Sequence, residues 1–194
     1  MVDLLAVVDP ASAADWADRL IAAFGGIAPA LAATPDRLLP LVRGDRRAVA
    51  LILAHRRATL AALRERAVRR PIVATRYDVL RYLHQHMAFD GEEALRVLFV
   101  NTRRELIAEE VMARGGPATI GVEPRQVIVR ALALAAAGMV LVHNHPGGDP
   151  TPSVADRRFT RRLALAAECL GISVHDHLIV ARDGHHRIDV TAID

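Results

Sequence analysis

Two histidines and an aspartate in the stretch HNHPGGDPTPSVAD, His143, His145 and Asp156, are the residue types that hold a catalytic zinc ion. Side chains two apart at the end of an extended segment point to the same side, so His143 and His145 can share one ion. The loop GGDPTP turns the chain back, so that Ser153 can open a helix and Asp156 can project from its first turn toward the strand end. Three protein ligands leave a fourth position for water, which zinc acidifies to a pKa near ~7. Taken alone, Ser153 and Asp156 at a spacing of three read as a helix-capping pair, and the histidines as turn residues. The HxHP element at a fixed distance upstream shifts the balance toward metal binding.

These residues need a strand before them and a helix after them, and the pattern supplies both. MVLVH is a short apolar strand, and SVADRRFTRRLALAAECLG is a capped helix stopped at Gly171. Upstream, ALRVLFV, NTRRE and LIAEEVMAR predict a two-stranded hairpin, followed by the helix EPRQVIVRALALAAAG. Downstream, ISVHDHLIVA and HHRIDV predict two more strands. Alternating strands and helices imply an α/β (α+β) domain with one mixed sheet flanked by helices. Residues 9 to 70 read as helices only: one from Asp9 and Pro10 to Phe24, a short one from Thr34 and Pro35 to about Val42, and a longer one to Arg70. Pro71 and IVAT read as a linker, and Thr75 to about His86 as a further helix. The expected organisation is a small helical region over 1–70 and the sheet domain over 71–194.

Composition narrows the setting. With 194 residues, 52% of them hydrophobic, the chain can bury a substantial core. Its longest near-continuous apolar run, residues 131–142, is well short of the roughly 20 residues needed to span a bilayer. Asp3 and Asp9 interrupt the N-terminal apolar stretch and no basic segment precedes it, so a secretory signal is not expected and the reading is cytoplasmic. Cys169, the single cysteine, excludes an intramolecular disulfide and is expected to fill core space. Every basic residue counted among the 25 Lys+Arg is arginine, and 22 acidic residues nearly balance them, so charge alone does not demand a nucleic-acid partner.

The motif resembles that of RadC-like proteins in the JAB/MPN (JAMM) zinc metallopeptidase superfamily. Such proteins show HNHPSG, a short spacer and PSxxD. Here HNHPGG, DPT and PSVAD match, with Gly147 where serine is usual. The likeness extends through LFVNTRRELIAEEVMARG, EPRQVIVRALALAAAGMVLV and LGISVHDHLIV, covering most of residues 71 to 182. It implies a JAB/MPN-like fold, a Zn2+ cofactor on His143, His145 and Asp156, and a general base at Glu93, which opens EALRVLFVN. It also implies that Ser153 donates a hydrogen bond to a developing oxyanion. The resemblance implies a metallopeptidase or isopeptidase activity on a peptide or protein substrate. Asn144, by strand alternation, is expected to point away from the ion.

Other histidines are also candidate ligands. His175, Asp176 and His177 form a second HxH, and one of these side chains is a candidate for orienting a zinc ligand. His84 and His86, two apart on a helix, face different directions. The RadC-like resemblance also implies an N-terminal helix-hairpin-helix element, here a degenerate one at PDRLLPLVRGDRRAVALILA, with Gly44 where two glycines are typical and Asp45 close to where a phosphate would sit. Arg43, Arg46 and Arg47 there, and Arg157, Arg158, Arg161 and Arg162 beside the metal motif, leave a second reading: a DNA-associated accessory protein whose metal site is structural or vestigial.

Overall fold

A computed structural model describes residues 1–68, 71–72, 76–115 and 122–190; part of the expected linker, at 73–75, lies outside the described residues. In chain order the elements are α1 (Val2–Ala6), α2 (Ala13–Phe24), α3 (Ile27–Ala32), α4 (Pro35–Leu38), α5 (Arg46–Val68), α6 (Arg76–Met87), β1 (Glu93–Val100), β2 (Leu106–Gly115), α7 (Pro124–Ala133), β3 (Gly138–His145), α8 (Val154–Glu168), β4 (Ser173–Ala181) and β5 (Gly184–Ile188). No described helix is long and apolar enough to cross a membrane. The chain forms two compact units, Met1–Leu63 and Arg64–Asp194.

The first unit is helical, around a core that includes Leu5, Trp16, Leu20, Leu38 and Ile52. Its second helix starts at Ala13, later than the sequence suggests, because the Asp9 carboxylate accepts the Ala11 N–H and holds the intervening residues in a turn. The helix after Thr34 also ends early, at Leu38. A turn closed by Gly44 N–H on the Leu39 carbonyl follows, with Arg43 and Gly44 at positive φ. Asp45 then caps α5 by accepting the N–H groups of Arg47 and Ala48. The two units meet inside α5, between Leu63 and Arg64. Past Leu63, α5 belongs to the second unit: Arg64 sits 3.7 Å from the Glu109 carboxylate, and Ala67 lines a small recess with Val79 and Leu98.

In the second unit the five strands form one mixed sheet in the order β2-β1-β3-β4-β5. β1 is antiparallel to β2 and β3, β3 is parallel to β4, and β4 is antiparallel to β5. β3 is central and buried almost throughout, as a strand covered on both faces must be. One face carries Leu95, Val97, Phe99, Met139 and Leu141 against Val127, Ile128 and Ala131 of α7 and Leu163 and Ala167 of α8. Alternation therefore puts Glu93, His143 and His145 on that same face, at the end where β3 leaves the sheet for α8. Ligand sites in α/β sheets commonly form at such carboxyl ends.

Cys169 corrects the sequence reading. It is exposed just past α8, because the buried stripe of that helix runs through Thr160, Leu163 and Ala167 and leaves position 169 outside it.

A bulge in β4 sets the register of its last half. Val174 pairs with Met139, but Asp176 pairs with Val140, so His175 is the extra residue and His177 returns to the α8 face opposite Leu141. The bulged His175 imidazole occupies the space that a side chain at Gly138 would need, and the Ser173 carbonyl also crowds that point. Gly138→Ala is accordingly expected to destabilise the protein by about 1–3 kcal/mol through overpacking, read as a lower urea midpoint with an unchanged slope.

Candidate metal centre

β3, the loop after it and α8 bring the motif together. His143 is 1% exposed, and its Nε2 lies 2.9 Å from Nε2 of His145. Asp156 Oδ1 lies 3.3 Å from His143 Nε2, and Asp156 Oδ2 lies 3.6 Å from His145 Nε2. Tetrahedral ligands at roughly 2.0–2.1 Å from a zinc ion stand about 3.3–3.4 Å from one another. Glu93 joins the cluster: its carboxylate and one nitrogen each of His143 and His145 all fall within 4.8 Å of one another. Glu93, rather than its neighbour Glu92, is the residue delivered here. Glu92 is turned outward and lies 3.7 Å from Arg114.

Hydrogen bonds aim the imidazoles. His145 Nδ1 is 2.9 Å from the Asp149 carbonyl, which can only accept, so Nδ1 carries the proton and Nε2 keeps its lone pair in the neutral ring. His143 Nδ1 is 2.8 Å from His177 Nε2. Two imidazole nitrogens facing each other at 2.9 Å beside two carboxylates form an electron-rich pocket that a cation satisfies. The donor set fits a divalent ion of the zinc type, for which imidazole and carboxylate are ordinary ligands.

Asp156 serves two partners at once. Its Oδ2 accepts from both the backbone N–H and the hydroxyl of Ser153, each at 2.7 Å, while its own N–H donates to Ser153 Oγ. That is a capping box at the start of α8. Oδ1 faces His143, so the capping box does not use up the carboxylate. Burial alone would raise the Asp156 carboxyl; the His143 imidazole beside it and the hydrogen bonds from Ser153 outweigh that and hold the group well below the usual carboxylate range. Glu93 goes the other way: burial raises its carboxyl above the ordinary value, with His143 and His145 opposing.

These groups line one wall of a cleft of about 800 Å³. Leu95, Pro146 and Phe159 give it apolar surface, and Gly91, Gly115 and Gly147 open its rim. The loop between β3 and α8 is braced from the β4–β5 turn, where Asp183 N–H donates to the Gly148 carbonyl and Arg182 reaches Gly147 O.

Asn144 has a structural role beside the cluster. It points away from the cluster, fully buried; its Oδ1 accepts the Ala94 N–H at 2.9 Å and its amide donates to the Glu92 carbonyl at 3.0 Å. The residues on either side of Glu93 are thereby clamped to the strand that carries the histidines. Asn144→Ala would take their partner from the buried Ala94 N–H and from the Glu92 carbonyl, an expected cost of about 1–3 kcal/mol in denaturant unfolding. Of the second HxH, His177 reaches the site, His175 fills the bulge, and Asp176 pairs with Arg187 on β5. Thr160, not singled out in the sequence, contacts His177; its place four residues after Asp156 on one helix face was the available signal.

A mixed sheet that delivers two histidines from its central strand to a carboxylate on the following helix, with a buried glutamate alongside, defines an α/β protein with a candidate metal centre. Residues 73–189 match the model of the RadC-like JAB domain family, and the chain belongs to that family. A relative called "UPF0758 protein" from Rhodobacter capsulatus is 40% identical over 166 residues, covering 86% of this chain and 78% of that protein.

Proposed function

We propose that the protein is a zinc-dependent hydrolase of peptide or isopeptide bonds, with His143, His145 and Asp156 as metal ligands and Glu93 as general base. The observation that carries this reading is the approach of two imidazole Nε2 atoms and the Asp156 carboxylate to tetrahedral ligand spacing, beside a buried Glu93 on the wall of an open cleft. A zinc ion bound there would supply Lewis acidity and lower the pKa of water. Glu93 accepts a proton from the attacking water as the C–O bond forms, then delivers it to the leaving nitrogen as the C–N bond breaks. Its raised pKa suits it to both transfers. Ser153, whose hydroxyl now donates to Asp156, lines the cleft and becomes an oxyanion donor on turning toward a substrate carbonyl. Leu95, Pro146 and Phe159 give an extended peptide apolar surface beside the reacting bond.

The DNA-associated reading draws less support. In the turn that would meet a phosphate, Arg43 pairs with Asp15 at 3.1 Å and Arg47 with Asp45 at 2.9 Å, so two of the three arginines are already neutralised. The direct test is hydrolysis of a panel of peptides and isopeptide-linked substrates by the full-length protein, before and after chelation and after zinc is restored. Activity that disappears with the chelator and returns with zinc supports the proposal; cleavage of a DNA phosphodiester in place of the amides overturns the substrate assignment. Zinc is also expected to stabilise the fold, by about 2.7 kcal/mol at a free concentration 100 times its Kd, so chelation lowers Tm by several degrees.

A further inference from the structure

His143 can bind a metal through Nε2 only if its proton sits on Nδ1, and the structure contains a chain of contacts that places it there. His143 Nδ1 lies 2.8 Å from His177 Nε2, His177 Nδ1 lies 2.5 Å from Thr160 Oγ1, and Thr160 Oγ1 lies 2.6 Å from the Asp156 main-chain carbonyl. Each contact is short enough to require one proton between its atoms. The carbonyl only accepts, so the single hydroxyl proton of Thr160 points at it. Thr160 Oγ1 must then accept from His177, which fixes His177 as the Nδ1–H tautomer with a lone pair on Nε2. That lone pair accepts the Nδ1–H of His143, and His143 Nε2 is left bare toward His145 and Asp156.

We infer that His177 and Thr160 are positioning residues that hold His143 in its metal-binding tautomer, through a proton-ordered chain starting at the backbone of Asp156. Thr160 is fully buried and His177 is 1% exposed, so water does not compete for any of the three contacts. The chain also ties two ligands from different elements together. His143 arrives on β3 and Asp156 on α8, and the path between them runs through one helical turn and the neighbouring strand. His177 reaches this position because of the bulge at His175; without the extra residue, alternation along β4 would turn position 177 to the other face of the sheet. The HDH sequence is thus divided among three tasks, and only its last histidine faces the metal centre.

The inference rests on the metal-site reading for its purpose, but its proton positions are observable without metal. In the metal-free, full-length protein labelled with ¹⁵N-histidine, long-range ¹H–¹⁵N correlation is expected to show both His143 and His177 as Nδ1–H tautomers; an Nε2–H assignment for His143 overturns the inference. Zinc affinity, read by competition with a chromophoric chelator, is expected to fall about 10–100-fold in His177→Phe and to recover largely in His177→Gln, whose amide oxygen can take the place of Nε2 as acceptor. A folded His177→Phe that binds zinc as the wild type does overturns it. Should His177→Phe fail to fold, the pair Thr160→Val and Thr160→Ser decides: weaker zinc binding in the valine variant alone supports the chain, and equal binding in both refutes it. A wild type that binds no zinc would instead remove the metal-site reading, while the tautomer spectrum would still judge the proton order.

Discussion

Glu93→Gln is expected to lower the rate of peptide or isopeptide hydrolysis by about 10²–10⁴-fold, the usual contribution of a positioned general base, while zinc remains bound. Glutamine keeps the shape and the hydrogen-bonding reach of Glu93 but cannot take a proton. Retention of zinc is the informative half of the result. The carboxylate lies close enough to His143 and His145 to serve as a ligand itself, and a variant that loses zinc along with activity would assign Glu93 to the ion rather than to the water. Activity unchanged with zinc in place would remove the proposed base altogether. The clamp by Asn144 on either side of Glu93 keeps the variant side chain in the same position, so the comparison is of chemistry rather than of placement.

Asp156→Ala is expected to weaken zinc by more than the ~10–100-fold typical of a residue that merely supports a ligand, and to destabilise the metal-free protein by roughly 1 kcal/mol through loss of the capping box. Asp156→Asn separates these effects. Its amide oxygen can still accept from Ser153, while the charge facing His143 is gone. Titration provides a further check with a defined sign. The folded carboxyl titrates well below its ordinary value of 3.8, so the ionised group contributes stability that is present above that value and disappears as pH falls through the lower, folded one. The stability gap between the metal-free wild type and Asp156→Asn should therefore be widest above about pH 4 and close in stronger acid. Zinc binding unaffected by either substitution would exclude Asp156 from the ligand set.

The sheet and the motif were legible for identifiable reasons. β1, β2, β3 and α8 are bounded by strong punctuation, Asn101 to Glu105 in the hairpin and HPGGDPTP before α8, and their apolar periods leave little choice of face. The spacing of His143, His145 and Asp156 could be read because strand alternation and one helical turn are local rules. Long-range contacts were not legible. Nothing in SVHDHLIV announces that His175 is bulged into the space beside Gly138, and so which histidine turns to the candidate metal centre was open. The partners of Asn144, Glu92 and Ala94, lie at and just before the start of β1, some fifty residues earlier and beyond the reach of any local rule. Among the helices of the first unit the errors were ones of side-chain competition: Asp9 engages its own backbone and delays a helix that its type alone would have begun. Cys169 has hydrophobic neighbours in sequence, but the helical angle turns it out of the buried stripe of α8.

The most direct measurement is a crystal structure of the zinc-loaded protein, with the ion located by anomalous scattering at the zinc edge. The account predicts one ion about 2.0–2.2 Å from His143 Nε2, His145 Nε2 and an Asp156 carboxylate oxygen, with a water completing the tetrahedron and Glu93 beside that water. Zinc bound elsewhere, or an ion at this position with Asp156 turned away and Glu93 in its place, would contradict it.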